Sequence, residues 1–490
     1  MFRLSYLRWL LLVLLTAGCT QGFQELNTDL NRPKEITPGV LLGQLQYRIV
    51  NASTGAARNF THELMQVDAP RGSAGGGGLH RYVVGPGTGV WNNFYGFLTD
   101  IEDLSQIAQR LQEPNYQAIA LVYKSWAYSI LTDLYGDIPY SESTRAAQGL
   151  VKPSFDSQQS IYPQLLKDLE TANALFDERK ALTYGGDLVY AANALSGSTS
   201  PGILKWKKFA NSLRLRLLLR LSKRDGTVPV KEQIATILAN PTQYPVFTSN
   251  ADEAIFRYPG TFPYYNPNYN ARQVDWRDGN YFTKFFLAPL NATNDPRRTV
   301  WCLPVTVNGV PVYQGIESGY PTTVEYAVGR NSSYSDVLKT LPQLGVMMPY
   351  AEVEFMKAEL ALKGFTTGKT AKAHYEAGIA ASMTQWGVSL PAGFLEHPLI
   401  AFASSSEAQF EQVMLQKYYA SFFVDYQSWF EKRRTGYPVL PRGTGIPAEN
   451  QFPSRVPYPT YLQSLNPEAL AKAVASMGGD TSDQKVWWER

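Results

Sequence analysis

The sequence predicts a mostly α fold: a tetratricopeptide-like array of helix pairs with long irregular loops and minor β. Three observations carry this. Apolar residues recur at helical spacing in segment after segment of the 490 residues. Some neighbouring segments are joined by connections so short that they imply helical hairpins. Between others run stretches rich in Gly, Pro and Asn that are too long for turns, and loops of that length in a compact domain usually carry function.

In chain order, the first candidate helix covers residues 40–51. The second covers 91–111, with Phe94, Phe97, Leu98, Ile101, Leu104, Ile107 and Leu111 as its apolar stripe. A third, 115–134, runs up to Gly136, where a helix stop is expected. Residues 157–175 carry Ile161, Leu165, Leu169, Ala172 and Leu175, and residues 204–221 are apolar and basic in turn. Residues 350–362 and 369–385 form a pair split by 364–368. There Ala371 stands four before Tyr375 and Gly378 three after it, small residues that let two helices approach closely. A generic helical hairpin fits that pair equally well, since no strict period of roughly 34 residues runs along the chain. The last long candidate is 404–431. The intervening loops are 68–90, with its run Gly75-Gly76-Gly77-Gly78, then 247–281, 300–336 and 436–466. Short strand pairs are expected within 301–313.

The N-terminus predicts export. Arg3 and Arg8 give a basic start, residues 9–15 are an unbroken apolar run, and Thr16-Ala17-Gly18-Cys19 follows. The run is far too short to span a bilayer, and the pattern reads as a secretory signal. A cysteine at the cut resembles a lipobox, with Thr16 where a large apolar residue is usual and Leu15 one position earlier. The expectation is a signal peptide over residues 1–18, a lipidated tether over 19–38 beginning at Cys19, and a single domain over 39–490. Lipid at Cys19 makes the chain anchored rather than spanning.

Composition narrows the function. Two arginines and no acid leave with the signal, which takes the formal charge of +3 to about +1. That balance offers no nucleic-acid footprint and no grip on anionic lipid. Lipidation of Cys19 leaves Cys302 as the only other cysteine, so no disulfide is expected and stability must come from a packed core. Aromatics reach 13%, and many fall in the loop-like stretches, where flat rings suit sugars or peptide side chains as readily as they fill a core.

Ordered motifs then run nearly end to end. They include Asn27-Thr28-Asp29-Leu30-Asn31-Arg32-Pro33, Leu131-Thr132-Asp133-Leu134-Tyr135-Gly136-Asp137-Ile138-Pro139-Tyr140-Ser141-Glu142, and Pro153-Ser154-Phe155-Asp156. Lys205-Trp206-Lys207-Lys208-Phe209-Ala210-Asn211 through Arg216, Asn294-Asp295-Pro296-Arg297, Tyr350-Ala351-Glu352-Val353-Glu354-Phe355 and Glu431-Lys432-Arg433-Arg434-Thr435-Gly436 continue the series, which closes with Arg455-Val456-Pro457-Tyr458 and Val486-Trp487-Trp488. Together they resemble the SusD/RagB family of nutrient-binding outer-membrane lipoproteins. The resemblance implies about four tetratricopeptide-like helix pairs with a loop-rich face. It also implies a SusC-like TonB-dependent transporter as partner, oligosaccharide or peptide as ligand, and a place at the outer membrane facing the exterior. Most matched residues read as structural: Asp133, Tyr135, Gly136, Asp137 and Pro139 closing a helix and capping the next element, and Asn211, Arg214 and Arg216 pairing with acids such as Glu352, Glu354 or Glu359, since buried charges need partners.

The expected ligand region is 258–282, with Tyr264, Tyr265, Tyr269, Trp276 and Tyr281 as stacking platforms among polar residues. A second region is 71–92, with His80, Arg81, Tyr82 and Trp91. In the family an aromatic just ahead of the first long helix contributes, and Trp91 matches it; each ring could equally pack a loop or meet the transporter. A glycan- or peptide-cleaving enzyme and a purely structural adaptor are the alternatives. None of His62, His80, His374 and His397 stands in a metal-ligand spacing, and neither a nucleophile elbow nor a phosphate loop is present. No catalytic residue, cofactor or metal is expected.

Overall fold

The computed structural model describes residues 36–72 and 77–490. The signal peptide, Cys19, the motif 27–33 and most of the tether lie outside the described residues, as do Gly75 and Gly76.

Helix α1 (Pro38–Ala56) opens the described chain, and one π-helical turn, Ala57–Thr61, carries it into His62–Leu64. Helices α2 (Thr88–Arg110), α3 (Pro114–Tyr135), α4 (Gln158–Leu175), α5 (Pro201–Arg220) and α6 (Val230–Ala239) follow, each packed on the one before it. Prolines at the starts of α1, α3 and α5 suit a first turn, where the missing N–H has no helical partner. After α7 (Lys284–Ala292) comes a second group: α8 (Tyr350–Leu362), α9 (Ala371–Gln385) and α10 (Ser406–Ala420), with α8 against both others. Helices α11 (Gln427–Thr435) and α12 (Pro467–Met477) close the chain. The mostly α, tetratricopeptide-like architecture is the predicted one.

The minor β is four two-stranded pairs among the described residues: β1 (Asp68–Pro70) with β3 (Asn280–Phe282), β2 (Ala254–Phe256) with β8 (Gly345–Met348), β4 (Cys302–Leu303) with β7 (Ser333–Tyr334), and β5 (Val305–Val307) with β6 (Val310–Val312). The last is the hairpin expected within 301–313. Its turn is Asn308-Gly309, both at positive φ, as a two-residue hairpin requires.

The α8–α9 pair is as tight as its small residues imply. A Cβ on Gly378 would sit 2.6 Å from the Phe355 ring. The expected helix over 404–431 breaks instead into α10 and α11. The chain turns at Phe423, which has φ +64, so that Phe422 packs on Trp301 at 4.7 Å while Phe423 packs on His62 at 4.7 Å. Phe422 also stacks on His62 at 4.9 Å, and burying both neighbouring rings in this one aromatic cluster outweighs continuing the helix.

Many of the buried charges are paired. Arg216 donates to both oxygens of Glu352 at 2.7 and 2.6 Å, as expected. Arg214 turns instead to Gln233 at 3.0 Å and Glu170 at 3.5 Å, and Asn211 donates to Asn173 at 2.8 Å. Glu359 receives two 2.6 Å hydrogen bonds from Arg434, and Glu354 meets His374 at 2.7 Å. These contacts tie α5, α8, α9 and α11 into one body.

Candidate functional site

The site is built where α3 ends. Gly136 follows Tyr135 with φ +86, and a Cβ there would fall 2.3 Å from the Met477 sulfur, so only glycine fits. Asp137 then accepts from the Gln158 backbone N–H at 3.0 Å, capping α4, and from the Ser476 hydroxyl at 2.6 Å on α12. Ile138 and Asp156 exchange backbone hydrogen bonds of 3.1 and 2.9 Å. The Asp156 carboxylate gathers the Tyr140 and Ser141 N–H groups at 3.0 and 2.9 Å. Further out, Glu142 accepts from the Ser154 backbone N–H and hydroxyl, both at 2.7 Å. Those two bonds hold its carboxyl below the usual carboxylate range. Segment 137–156 is thereby pinned along both its legs.

This pinned segment forms one wall of a groove. The opposite wall is the first turns of α2 and the segment 461–466, whose Leu462–Leu465 form one helical turn. Trp91 and Tyr95, four apart on α2 and 4.9 Å between ring centroids, share one face. Phe155 stands 6.0 Å from Trp91 and stacks on Tyr458 at 5.6 Å. Tyr461 donates its hydroxyl to Asn92 at 2.6 Å, and Asn466 donates to the Pro153 carbonyl at 2.7 Å, which locks this segment across the groove. The cavity so enclosed measures about 290 Å³, and a neighbouring hollow of about 330 Å³ shares Glu142, Phe155 and Asn466 with it. Apolar Val151 and Leu465 stand 73% and 61% exposed at the rim. Exposed large apolar side chains beside an aromatic cavity mark a ligand surface more than a packing surface.

The groove's chemistry is that of recognition. Burial pushes the Tyr95 and Tyr461 hydroxyls above the usual phenol range, so both remain neutral donors. Tyr95 gives its proton to the Pro139 carbonyl at 2.8 Å. Thr144 and Arg145 with Glu142 add polar groups beside the rings. Flat rings flanked by a few fixed donors and acceptors suit a sugar face.

Of the residues singled out in the sequence, Trp91 lies in this groove, 5% exposed and packed edge-on against Tyr135 at 5.0 Å. The others lie elsewhere. Trp276 and Tyr281 are 2% and 1% exposed, the indole donating to the Ser335 carbonyl at 3.2 Å. Tyr264 is half-buried against Tyr47 at 5.2 Å. Tyr265 and Tyr269 stack on one another at 4.9 Å, with Tyr269 44% exposed. Arg81 is buried, and its Nε and Nη1 have no hydrogen-bond partner among the described residues. Sequence reasoning named none of Tyr95, Phe155 and Tyr461 as a ligand contact, although Phe155 lies in a matched motif. Tyr95 carried a usable signal, one helical turn from Trp91; Tyr461 carried none, since only the fold returns it to α2.

The histidines are absorbed by structure. His62 bonds the Tyr334 hydroxyl at 2.7 Å, and burial holds its imidazole well below the usual range. His80 meets Glu63 at 2.7 Å and His374 meets Glu354. Cys302 is buried, which pushes its thiol well up. Among the described residues no group of three or more His, Cys, Asp or Glu could hold a metal, and no helix is long and apolar enough to cross a membrane.

Comparison with known proteins agrees with this architecture. A SusD-like family, described as starch-binding and associating with the outer membrane, matches residues 30–459. The fold is similar to a SusD homologue of Bacteroides fragilis at TM-score 0.79, with 24% identity over 93% of this chain and 100% of that one. A second SusD homologue of that organism is 26% identical at TM-score 0.77, over 93% and 100% of the two chains. A chitin-binding SusD homologue from Flavobacterium johnsoniae is 22% identical at TM-score 0.74, over 92% and 98%. No curated protein sequence matches the chain.

Proposed function

Since the chain belongs to the SusD-like family, we propose that it is a glycan-binding lipoprotein of the outer membrane, tethered through Cys19 and facing the exterior. It holds oligosaccharide in the Trp91 groove and passes it to a SusC-like TonB-dependent transporter. The observation that carries the reading is the groove itself, an aromatic-lined hollow with exposed apolar rims, held by hydrogen bonds from three separate parts of the chain. The family description names starch, and a similar structure is chitin-binding, so glycan is the ligand class favoured over peptide. Aromatic rings bind a sugar face without needing a reacting group, and the protein acts by holding and releasing rather than by cleaving.

The test is calorimetric titration of the purified protein with maltoheptaose, chitohexaose and a tryptic digest of casein. At least one of the two glycans should bind. Tyr461→Ala should weaken that binding by roughly tenfold, equivalent to about 1.4 kcal/mol. Binding of peptides alone would overturn the glycan assignment. Appearance of shortened glycans during the titration would overturn the binding-only reading.

A further inference from the structure

A second hollow lies away from the groove, between segment 317–326 and the loop 441–444. It measures about 390 Å³, within the range of small-molecule pockets, about 300–1,000 Å³. Its floor is made by a close crossing of two backbones. Gly445 donates to the Gly319 carbonyl at 2.7 Å, and a Cβ on Gly443 would fall 2.2 Å from the Ser318 carbonyl. Only glycine permits that approach.

Two buried oxygens of the lining have no hydrogen-bond partner among the described residues: Gln66 Oε1 and Ser318 Oγ. Gln66 is 1% exposed and Ser318 7%. Gln66 also sits at φ +57, a backbone conformation an L side chain adopts at a cost, and such strain gathers at binding sites. Its amide orientation is fixed. The Pro441 carbonyl at 2.7 Å can only accept, so the amide nitrogen faces it and Oε1 is left free to accept. Buried polar atoms left unsatisfied are costly, and two of them belong to residues that line this hollow.

The walls complete the chemistry. Tyr320 is held in place by its own hydrogen bond to the Pro70 carbonyl at 2.6 Å, and Tyr326 meets it edge-on at 5.2 Å. The Tyr326 hydroxyl accepts from the Glu317 N–H at 3.3 Å and keeps its own proton to give. The Arg442 guanidinium turns one nitrogen to the Pro447 and Asn450 carbonyls at 2.6 and 3.0 Å, and the lining also carries the Glu317 carboxylate, so its charges are of opposite sign and favour neither an anion nor a cation. One acceptor, one hydroxyl that can give or take, one further donor and two rings match a neutral, hydroxyl-rich molecule with an apolar face.

We propose that this pocket, floored by Gln66 and Ser318 and walled by Tyr320 and Tyr326, is a second binding site that takes a single sugar residue, separate from the Trp91 groove. Saturation-transfer NMR with glucose, galactose, mannose and N-acetylglucosamine at millimolar concentration tests it. At least one sugar should receive saturation in the wild type. Val324→Trp, which fills the hollow from a half-buried wall position, should abolish that signal. Ser318→Ala and Tyr326→Phe each remove one hydrogen-bonding group and should weaken binding by about fivefold. Tyr461→Ala, which alters the groove alone, should leave it. No saturation of any of the four sugars overturns the proposal, meaning the oxygens bind water only. So does a signal that survives Val324→Trp or one that disappears only with Tyr461→Ala.

Discussion

Glu359 is fully buried, and burial by itself would raise its carboxyl. The Arg434 guanidinium and its two hydrogen bonds more than offset this and hold the carboxyl well below the usual glutamate range. Glu431, shared between Arg434 and Lys417 at 2.7 Å each, is lowered in the same way. The sign follows directly. A carboxyl lowered in the folded state adds stability that is fully present above its unfolded value, about 4.3, and is lost as pH falls through the folded one. The urea midpoint of the wild type should therefore drop on acidification below about pH 4.5, and Glu359→Gln should show a shallower drop. At neutral pH that variant should lose about 3–5 kcal/mol, the usual result of stripping one partner from a buried pair; an unchanged midpoint at pH 7 would show the pair to be dispensable. Glu253 runs the other way. Burial raises it to about 7, so its contribution is lost as pH rises between about 4.3 and 7. Glu253→Gln should flatten the wild type's decline across that interval in the same urea series. At this scale the sequence was partly legible. Arg216 with Glu352 could be anticipated because a buried charge demands a partner, whereas Trp276 and Tyr281 could not be told from ligand-facing rings, since an aromatic residue type says nothing about which side of its loop is buried.

Helices were legible wherever an apolar stripe met a clear stop. Helix α3 ends at Tyr135 before Gly136, and α8 spans Tyr350–Leu362 as its periodicity predicts. The failure over 404–431 has a physical cause: Phe422 and Phe423 sit within an unbroken helical pattern, and only the three-dimensional core, where both rings meet His62 and Phe422 also meets Trp301, turns the chain between them. Helix α7 carries Pro289 in its interior, which local pattern reads as a break. The α8–α9 pair shows what small residues contribute to an element. Gly378 is the only way Phe355 can lie flat on α9, because any Cβ there meets the ring at 2.6–2.9 Å. Gly378→Val should destabilise the protein by about 1–3 kcal/mol, the cost of overpacking. Phe355→Leu alone should cost a similar amount by leaving a gap, about 1–3 kcal/mol. The double variant should lose less than the sum of the two, a coupling that denaturant midpoints of all four proteins will measure. Strict additivity would mean that the two helices do not meet through this pair.

For the whole molecule, the groove and the anchor have different relations to the sequence. Trp91 could be picked out by its motif context, but the groove needs the 461–466 segment folded back on α2, more than 360 positions away in the chain, and no local pattern encodes that return. The anchor, by contrast, is wholly local. The proposed anchor is read from residues 1–19 alone, and α1 begins well after it, at Pro38. Glycan holding and membrane attachment should therefore separate cleanly. Acyl chains contribute about 0.8 kcal/mol per buried methylene, and no helix among the described residues is long and apolar enough to cross a membrane, so removing the lipid site should remove the attachment rather than weaken it. Expressed in a bacterium with outer-membrane lipoprotein export, the wild type should sediment with membranes and be cut by protease added to intact cells. Cys19→Ser should appear in the soluble fraction with its maltoheptaose or chitohexaose affinity within about twofold of wild type. It should also no longer copurify with a TonB-dependent barrel from native membranes. A Cys19→Ser protein that still sediments would place the attachment elsewhere on the chain, and a wild type protected from added protease would put the groove on the periplasmic side, where it could not collect glycan from outside the cell.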